Sequence, residues 1–118
     1  MIVNLTRNTT IASHIEIAQN LWARMKGLLG ARNLPPHNAL IITHCRSIHM
    51  FFMKFSIDVI FCDRRNKVVG LCGELKPFCL SPVFFNASYA IELPPGSIAA
   101  SKTQIGDQIK VVTGTNFY

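Results

Sequence analysis

A chain of 118 residues is long enough to bury one hydrophobic core and too short for two, so we treat residues 1–118 as a single domain. Apolar residues make up 49% of it, yet no run approaches the roughly 18 apolar residues of a membrane span, and the start MIVNLTRNTT lacks the layout of a secretory signal. Twelve basic against six acidic residues give a net charge of +6, which favours an anionic partner, although their scatter along the chain does not favour nucleic acid.

The first third of the chain predicts two short strands, a helix and a third strand. Residues 2–6 and 11–15 alternate apolar and polar side chains around Asn8, as two strands joined by a turn would. Residues 18–29 then follow the spacing of an amphipathic helix, and Gly30 is a natural terminator. The Pro35-Pro36 pair breaks the chain before a short buried strand over residues 39–43.

The stretch HCRSIHMFFMKFSIDVIFCD, residues 44–63, holds most of the candidate chemistry. Its period of two predicts a strand with apolar side chains on both faces and a core that includes Phe51, Met53, Val59 and Phe61. Asp58 shares its face with apolar neighbours, so we expect a partly buried carboxylate that needs a cationic or hydrogen-bonding partner.

The rest of the chain predicts short strands and turns. A hairpin turn carries Arg64, Arg65 and Lys67, which we interpret as a solvated basic turn. A returning strand over residues 67–73 follows, then an irregular loop over residues 75–86, strands over residues 90–93 and 108–112, and between these one helical turn capped by Ser97. The pattern predicts an α+β fold, a mainly antiparallel curled sheet or small β-barrel with one amphipathic helix packed on it.

Three motifs in this order resemble the domain of unknown function 192 family. They are RMKGLLGAR at residues 24–32, CRSIHMFFMKFSIDVIFCD at residues 45–63, and AIELPPGS at residues 90–97 with a later IGDQI. The resemblance covers nearly the whole chain and implies a small prokaryotic protein of unassigned biochemical role. Met50 stands where the family usually has threonine, and Ser56 where it usually has proline.

Export signals occur in that family, as the resemblance implies. Because the start of this sequence lacks the layout of such a signal, we expect a cytoplasmic protein, or an exported one if a signal preceded this sequence. The motifs also contain the cations that we expect to pair with Asp58: Arg46 is the first choice, Arg24 the second, and His49 is a further candidate. A structural ion pair of Asp58 with Arg46 or Arg24 is the interpretation that we favour.

Metal and thiol chemistry find little support in the spacing of the ligand residues. His44, Cys45 and His49 resemble half of a zinc site, but no paired C-x-x-C spacing completes it. We predict no metal and no cofactor. Cys62 and Cys72 lie in apolar runs where thiols pack as small hydrophobes, so we predict four reduced cysteines.

Three functions remain open. The first is a binding module for a small anionic or sugar-like molecule, with Arg46, Ser47, His49 and Glu92 near the mouth of the site. The second is a small hydrolase-like enzyme that uses Asp58 and Glu92 as acid and base, although no recognisable catalytic motif is present, so an enzyme is not favoured. The third is a protein-interaction domain with exposed methionine and phenylalanine side chains. The sequence does not predict the oligomeric state.

Overall fold

The described part of the chain folds into two β-sheets and one short helix. The computed structural model describes residues 1–18, 36–48, 50, 55–113 and 116–117. In chain order the strands are β1 (Ile2–Asn4), β2 (Thr9–Ala12), β3 (His14–Ala18), β4 (Asn38–Thr43), β5 (Ile57–Cys62), β6 (Val68–Leu75), β7 (Tyr89–Leu93), β8 (Ile109–Thr113) and β9 (Asn116–Phe117), with the helix α1 (Ser97–Ser101) between β7 and β8. No helix among these residues is long and apolar enough to cross a membrane.

The first sheet has the strand order β2-β1-β8-β9 and begins with the predicted amino-terminal hairpin. Asn8 closes the turn between β1 and β2 with a φ of 58°, a left-handed conformation that asparagine tolerates well. The second strand ends at Ala12, earlier than predicted, because the chain turns at Ser13. The amide nitrogens of Ser13 and His14 both donate to the carbonyl oxygen of His37. His14 then begins β3, so residues 11–15 are divided between two sheets.

The second sheet has the order β3-β4-β7-β5-β6, in which only the β3–β4 pair is parallel. The mainly antiparallel α+β prediction is therefore confirmed. The described strands form two open sheets rather than the closed barrel that we also considered. An isolated bridge between Lys67 and Gln108 connects the two sheets at one end.

All six residues of β5 are buried, and their side chains alternate between two cores. Ile60 and Cys62 belong to the inter-sheet core, which also contains Ile2, Ile11, Ile91, Leu93, Ile109 and Val111. Ile57, Val59 and Phe61 belong to the loop-side core, which also contains Leu40, Ile42, Ile48, Met50, Ala87 and Ala90. The two-residue period therefore predicted both faces of β5 correctly, and Val59 and Phe61 are core residues.

Several predictions about the helix and the central stretch lie outside the described residues. They concern Arg24, His49, Phe51, Met53 and the helix over residues 18–29, of which Ala18 is described as the end of β3. The predicted Ser97 cap is wrong: Gly96 precedes the first turn of α1, and the Ser97 hydroxyl donates to the Pro94 carbonyl instead.

Candidate functional site

Two irregular segments pair with each other over the loop-side core. They are residues 44–48 with Met50, and residues 78–88, and together we call them the loop layer. Backbone hydrogen bonds of 2.7–2.9 Å join Met50 to Phe78 and Cys79, Ile48 to Ser81, and Arg46 to Phe84. The hydroxyl of the buried Ser81 accepts a further bond of 2.8 Å from the Ile48 amide nitrogen. Pro82 has no backbone N–H, which keeps this ladder from becoming a regular strand.

The segment over residues 78–85 of the loop layer exposes several large apolar side chains. Four large hydrophobic side chains within eight residues are more than half exposed: Phe78 74%, Leu80 64%, Val83 52% and Phe85 76%. Single exposed apolar residues are ordinary, but neighbouring ones that form a patch mark binding sites more often than chance surface does. Phe78 also has a φ of 64°, a backbone conformation that is costly for an aromatic residue.

Arg46 and Ser47 lie at one edge of this apolar surface, and both are exposed. The Arg46 carbonyl oxygen accepts a hydrogen bond of 2.8 Å from the Phe84 amide nitrogen, which holds the Arg46 backbone next to that of Phe84, the residue between Val83 and Phe85. The Ser47 carbonyl oxygen accepts a bond of 3.1 Å from the Cys45 thiol. Arg46 and Ser47, neighbours in the chain, are two of the four residues that we predicted for ligand binding, and a third, His49, lies outside the described part.

Glu92, the fourth predicted ligand residue, lies under the loop layer rather than in its outer surface. In β7 it alternates with Ile91 and Leu93 of the inter-sheet core, so its side chain is directed to the opposite, loop-side face. Its cross-strand neighbours are Leu40 and Val59, and its exposure is 0%. Glu92 is therefore out of reach of a ligand on the outside of the loop layer.

Asp58 and Glu92 do not converge, which removes the geometric basis of the predicted acid–base pair. In the antiparallel β5–β7 pair Asp58 is opposite Leu93, and Val59 is opposite Glu92. Residues opposite each other in an antiparallel ladder share a face, so the two carboxylates lie on opposite faces of one sheet. General acid and base groups must reach the same substrate bond, and these two cannot.

Backbone amides, and not Arg46, hold Asp58. Its Oδ1 accepts a bond of 2.9 Å from the Glu74 amide nitrogen, and its Oδ2 accepts one of 2.8 Å from that of Ile98. Ile98 is in the first turn of α1, where a buried carboxylate satisfies a helix N–H that has no partner within the helix. Among the described residues the structure contains no salt bridge to Asp58, and Arg46 is exposed. Asp58 therefore ties β6 and α1 to β5.

Asp107, which the sequence analysis did not single out, is a second buried carboxylate with a structural role. Its Oδ2 accepts bonds of 2.9 Å from Asn4 Nδ2, 3.0 Å from Arg7 Nε and 2.9 Å from the Gln104 amide nitrogen. Burial by itself would raise the pKa of Asp107, but these hydrogen bonds and the Arg7 charge outweigh it and lower the pKa below its usual value. The network joins the β1–β2 turn to the turn before β8.

The four cysteines, all of them described, are thiols and form no disulfide. Burial raises the pKa of the Cys62 thiol to about 12; a hydrogen bond with Tyr89 acts to lower the pKa, and the charge of Asp63 acts to raise it. Such a thiol is a core residue and not a nucleophile. In the part of the chain that the structure describes, no three His, Cys, Asp or Glu side chains come together as metal ligands would.

The sequence matches the profile of DUF192, described as "Uncharacterized ACR", over residues 3–111. The chain belongs to the DUF192 family. It is similar to a UPF0127 protein of Pyrococcus horikoshii, at 37% identity over 96% of this chain and 100% of the relative. It is similar also to a UPF0127 protein of Thermococcus sibiricus, at 35% identity over 92% of this chain and 73% of the relative.

The fold of this DUF192 protein is also that of a solved structure. A protein of unknown function from Novosphingobium aromaticivorans superimposes with a TM-score of 0.71 at 18% identity, over 82% of this chain and 74% of that one. The family resemblance is thus confirmed, and with it the membership in a family without an assigned function. A fold by itself does not determine an activity, which depends on the residues of the site.

Proposed function

We propose that this DUF192 protein is a small-molecule binding module whose ligand lies on the outer surface of the loop layer. The hydrogen bond between the Phe84 amide nitrogen and the Arg46 carbonyl oxygen carries the proposal, because it holds the backbone of an exposed arginine next to the segment that contains the exposed Val83 and Phe85. Ligand sites commonly combine mostly apolar walls with a few placed polar groups, and Arg46 and Ser47 supply such groups here.

The chemistry of this surface favours an anionic ligand with a flat or apolar body. The Arg46 guanidinium can form paired hydrogen bonds with a carboxylate or phosphate, and the Ser47 hydroxyl can donate to the same group. Phe78 and Phe85 offer ring faces, which suit either an apolar body or the apolar face of a sugar ring. Glu92 is not part of this contact set, since it is wholly buried.

The test is a thermal-shift screen with small carboxylates, phosphates and sugar acids, followed by titration calorimetry of any compound that stabilises the protein. We expect Arg46→Gln to weaken binding about tenfold or more, since a hydrogen bond to a charged group contributes on the order of 2 kcal/mol. Lys110→Gln is the control, because Lys110 is also an exposed cation but lies on β8, outside the loop layer. Equal loss of affinity in both variants would show non-specific attraction and contradict the proposal.

The exposed apolar side chains also favour a second function, docking of a protein partner on the same surface. Leu80 and Val83 have no aromatic or polar group with which to recognise a small ligand, whereas a protein interface uses such side chains in its core. Binding of a partner would be lost with Leu80→Ser and nearly unaffected by Arg46→Gln. Small-molecule binding would show the reverse order of sensitivity, which separates the two functions.

A further inference from the structure

Three turns that are distant in sequence meet at one end of the molecule. They comprise residues 5–8, 63–67 and 102–108, and we call their joint surface the basic end. Gln108 connects them: its amide nitrogen donates to Thr6 Oγ1 at 2.9 Å, its carbonyl oxygen accepts from the Leu5 amide nitrogen at 2.8 Å, and its Nε2 donates to the Arg65 carbonyl oxygen at 2.6 Å. The three turns therefore form one surface with a fixed relative position.

This surface is strongly positive. The three turns contain five basic and two acidic residues, a net charge of +3 out of +6 for the whole chain. Both acids are occupied inside the turns: Asp107 is buried against Arg7, and Asp63 Oδ1 accepts the backbone N–H groups of Arg65 and Lys67. The exposed cations are Arg64, Arg65, Lys67 and Lys102, together with the partly screened Arg7.

Two aliphatic side chains project from the same turns. Leu5 is 54% exposed and Ile105 is 65% exposed. The Asp107 amide nitrogen donates to the Gln104 carbonyl oxygen at 3.1 Å, which closes a β-turn with Ile105 and Gly106 at its tip, and Gly106 has a φ of 93°. Such a turn needs glycine at its third position but has no need of isoleucine at its second. An exposed isoleucine at the tip of a turn, on a surface of net positive charge, requires a reason other than the turn itself.

We infer that the basic end binds an anionic phospholipid surface. Lysine and arginine side chains would lie at the level of the headgroups, and Leu5 and Ile105 would enter the boundary between headgroups and acyl chains. Nucleic acid also attracts cations, but the three turns contain no aromatic side chain on which a base could stack. Aliphatic side chains gain nothing from a phosphate backbone, whereas a membrane interface buries them.

The experiment is sedimentation of the full chain with vesicles of phosphatidylcholine alone and of equimolar phosphatidylcholine and phosphatidylglycerol. We expect partition onto the anionic vesicles only. Each cation near such a surface contributes a factor of about five, so Arg64→Gln with Arg65→Gln should lower the partition constant by about 25-fold, and Lys67→Gln by about fivefold. Ile105→Ser should lower it by about tenfold, because its side chain leaves the interface.

Matched controls separate this surface from net charge and from general hydrophobicity. Lys76→Gln removes an exposed lysine elsewhere, and Ile17→Ser removes an isoleucine that is 40% exposed on the edge strand β3; each should change partition less than about twofold. Equal partition onto both kinds of vesicle, or equal losses in Lys67→Gln and Lys76→Gln, would overturn the inference. A third contrary outcome combines two results: Ile105→Ser partitions like wild type, and the double arginine variant loses affinity for an oligonucleotide. Together these results would overturn the inference and assign the surface to nucleic acid.

Discussion

The ring of Phe84 lies where a side chain at Gly70 would be. A Cβ atom built on Gly70 would come within 2.5 Å of Cδ1 and Cε1 of Phe84, far inside any real contact distance. Gly70 is opposite Phe61 in the β5–β6 pair, and the Phe61 and Phe84 rings pack with their centroids 4.6 Å apart. The absence of a side chain at Gly70 therefore lets the loop layer approach the second sheet.

We predict that Gly70→Ala destabilises the protein by about 1–3 kcal/mol, because Phe84 must move away from Phe61. Urea unfolding measures the difference. Gly73→Ala is the matched control on the same strand: its Cβ would meet nothing within 4 Å, and we expect a change of less than about 0.5 kcal/mol. Similar costs in the two variants would mean that Phe84 adapts freely.

Phe61 should be one of the most sensitive positions in the chain. It is the largest fully buried side chain among the described residues, at 0% exposure. Phe61→Ala should lower the free energy of unfolding by about 3–5 kcal/mol, through lost burial and the cavity that remains. Phe85→Ala removes the same side chain where it is 76% exposed, and its effect should stay within about 0.5 kcal/mol. A melting temperature of Phe61→Ala close to that of wild type would refute this role.

The strand faces could be predicted from the sequence because β5 is covered on both sides. All six residues of β5 are buried, and successive side chains point to opposite cores. The two-residue period of a strand was therefore enough to assign Val59 and Phe61 to the same core. What the sequence lacks is the register between strands. Alternation places Asp58 and Glu92 within their own strands, but only the β5–β7 pairing shows that they lie on opposite faces.

The partners of Asp58 could not be predicted for a different reason. Its hydrogen-bond donors are backbone amides sixteen and forty residues away. Every residue except proline has a backbone N–H, so the sequence does not indicate which of them will bind Asp58, whereas arginine side chains can be identified as candidate partners directly. The basic end was missed likewise: its cations are far apart in the chain, and the topology brings them together through Gln108.

Asp58→Asn should destabilise the protein by about 1–3 kcal/mol. Asparagine has one side-chain acceptor oxygen, so one of the two amides at Glu74 and Ile98 would face an NH₂ group and lose its partner. Asp63→Asn is the matched control, because both of its side-chain bonds go to Oδ1, which asparagine keeps. Equilibrium unfolding in urea distinguishes the two variants. If Asp58→Asn destabilised the protein no more than Asp63→Asn, the hydrogen bonds by which Asp58 holds β6 and α1 would contribute little to stability.

The thiols should differ widely in their rate of alkylation. Cys79 is exposed and should react first in the native protein, whereas Cys62 is buried with a pKa of about 12 and should react only when the structure opens. Mass spectrometry over a time course of labelling at neutral pH measures the order. Unfolded protein treated without reductant should take up four labels, and two or none would show disulfides.

Protonation of Asp107 should make the protein less stable in acid. Its pKa in the folded state is lowered from the ordinary value of 3.8, so its contribution to stability is complete above that unfolded-state value and is lost as the pH falls through the lower folded-state pKa. The free energy of unfolding of the wild type should therefore fall as the pH drops below about 4. Asp107→Asn should be less stable at neutral pH, and its stability should depend less on pH in that range, because it has no carboxylate to protonate.

Arg7→Gln should show a pH dependence between those of wild type and Asp107→Asn, since it removes one donor and the charge but leaves the bonds from Asn4 and Gln104. Urea unfolding at a series of pH values tests this, and parallel curves for wild type and Asp107→Asn would show that the carboxylate has the same pKa in both states.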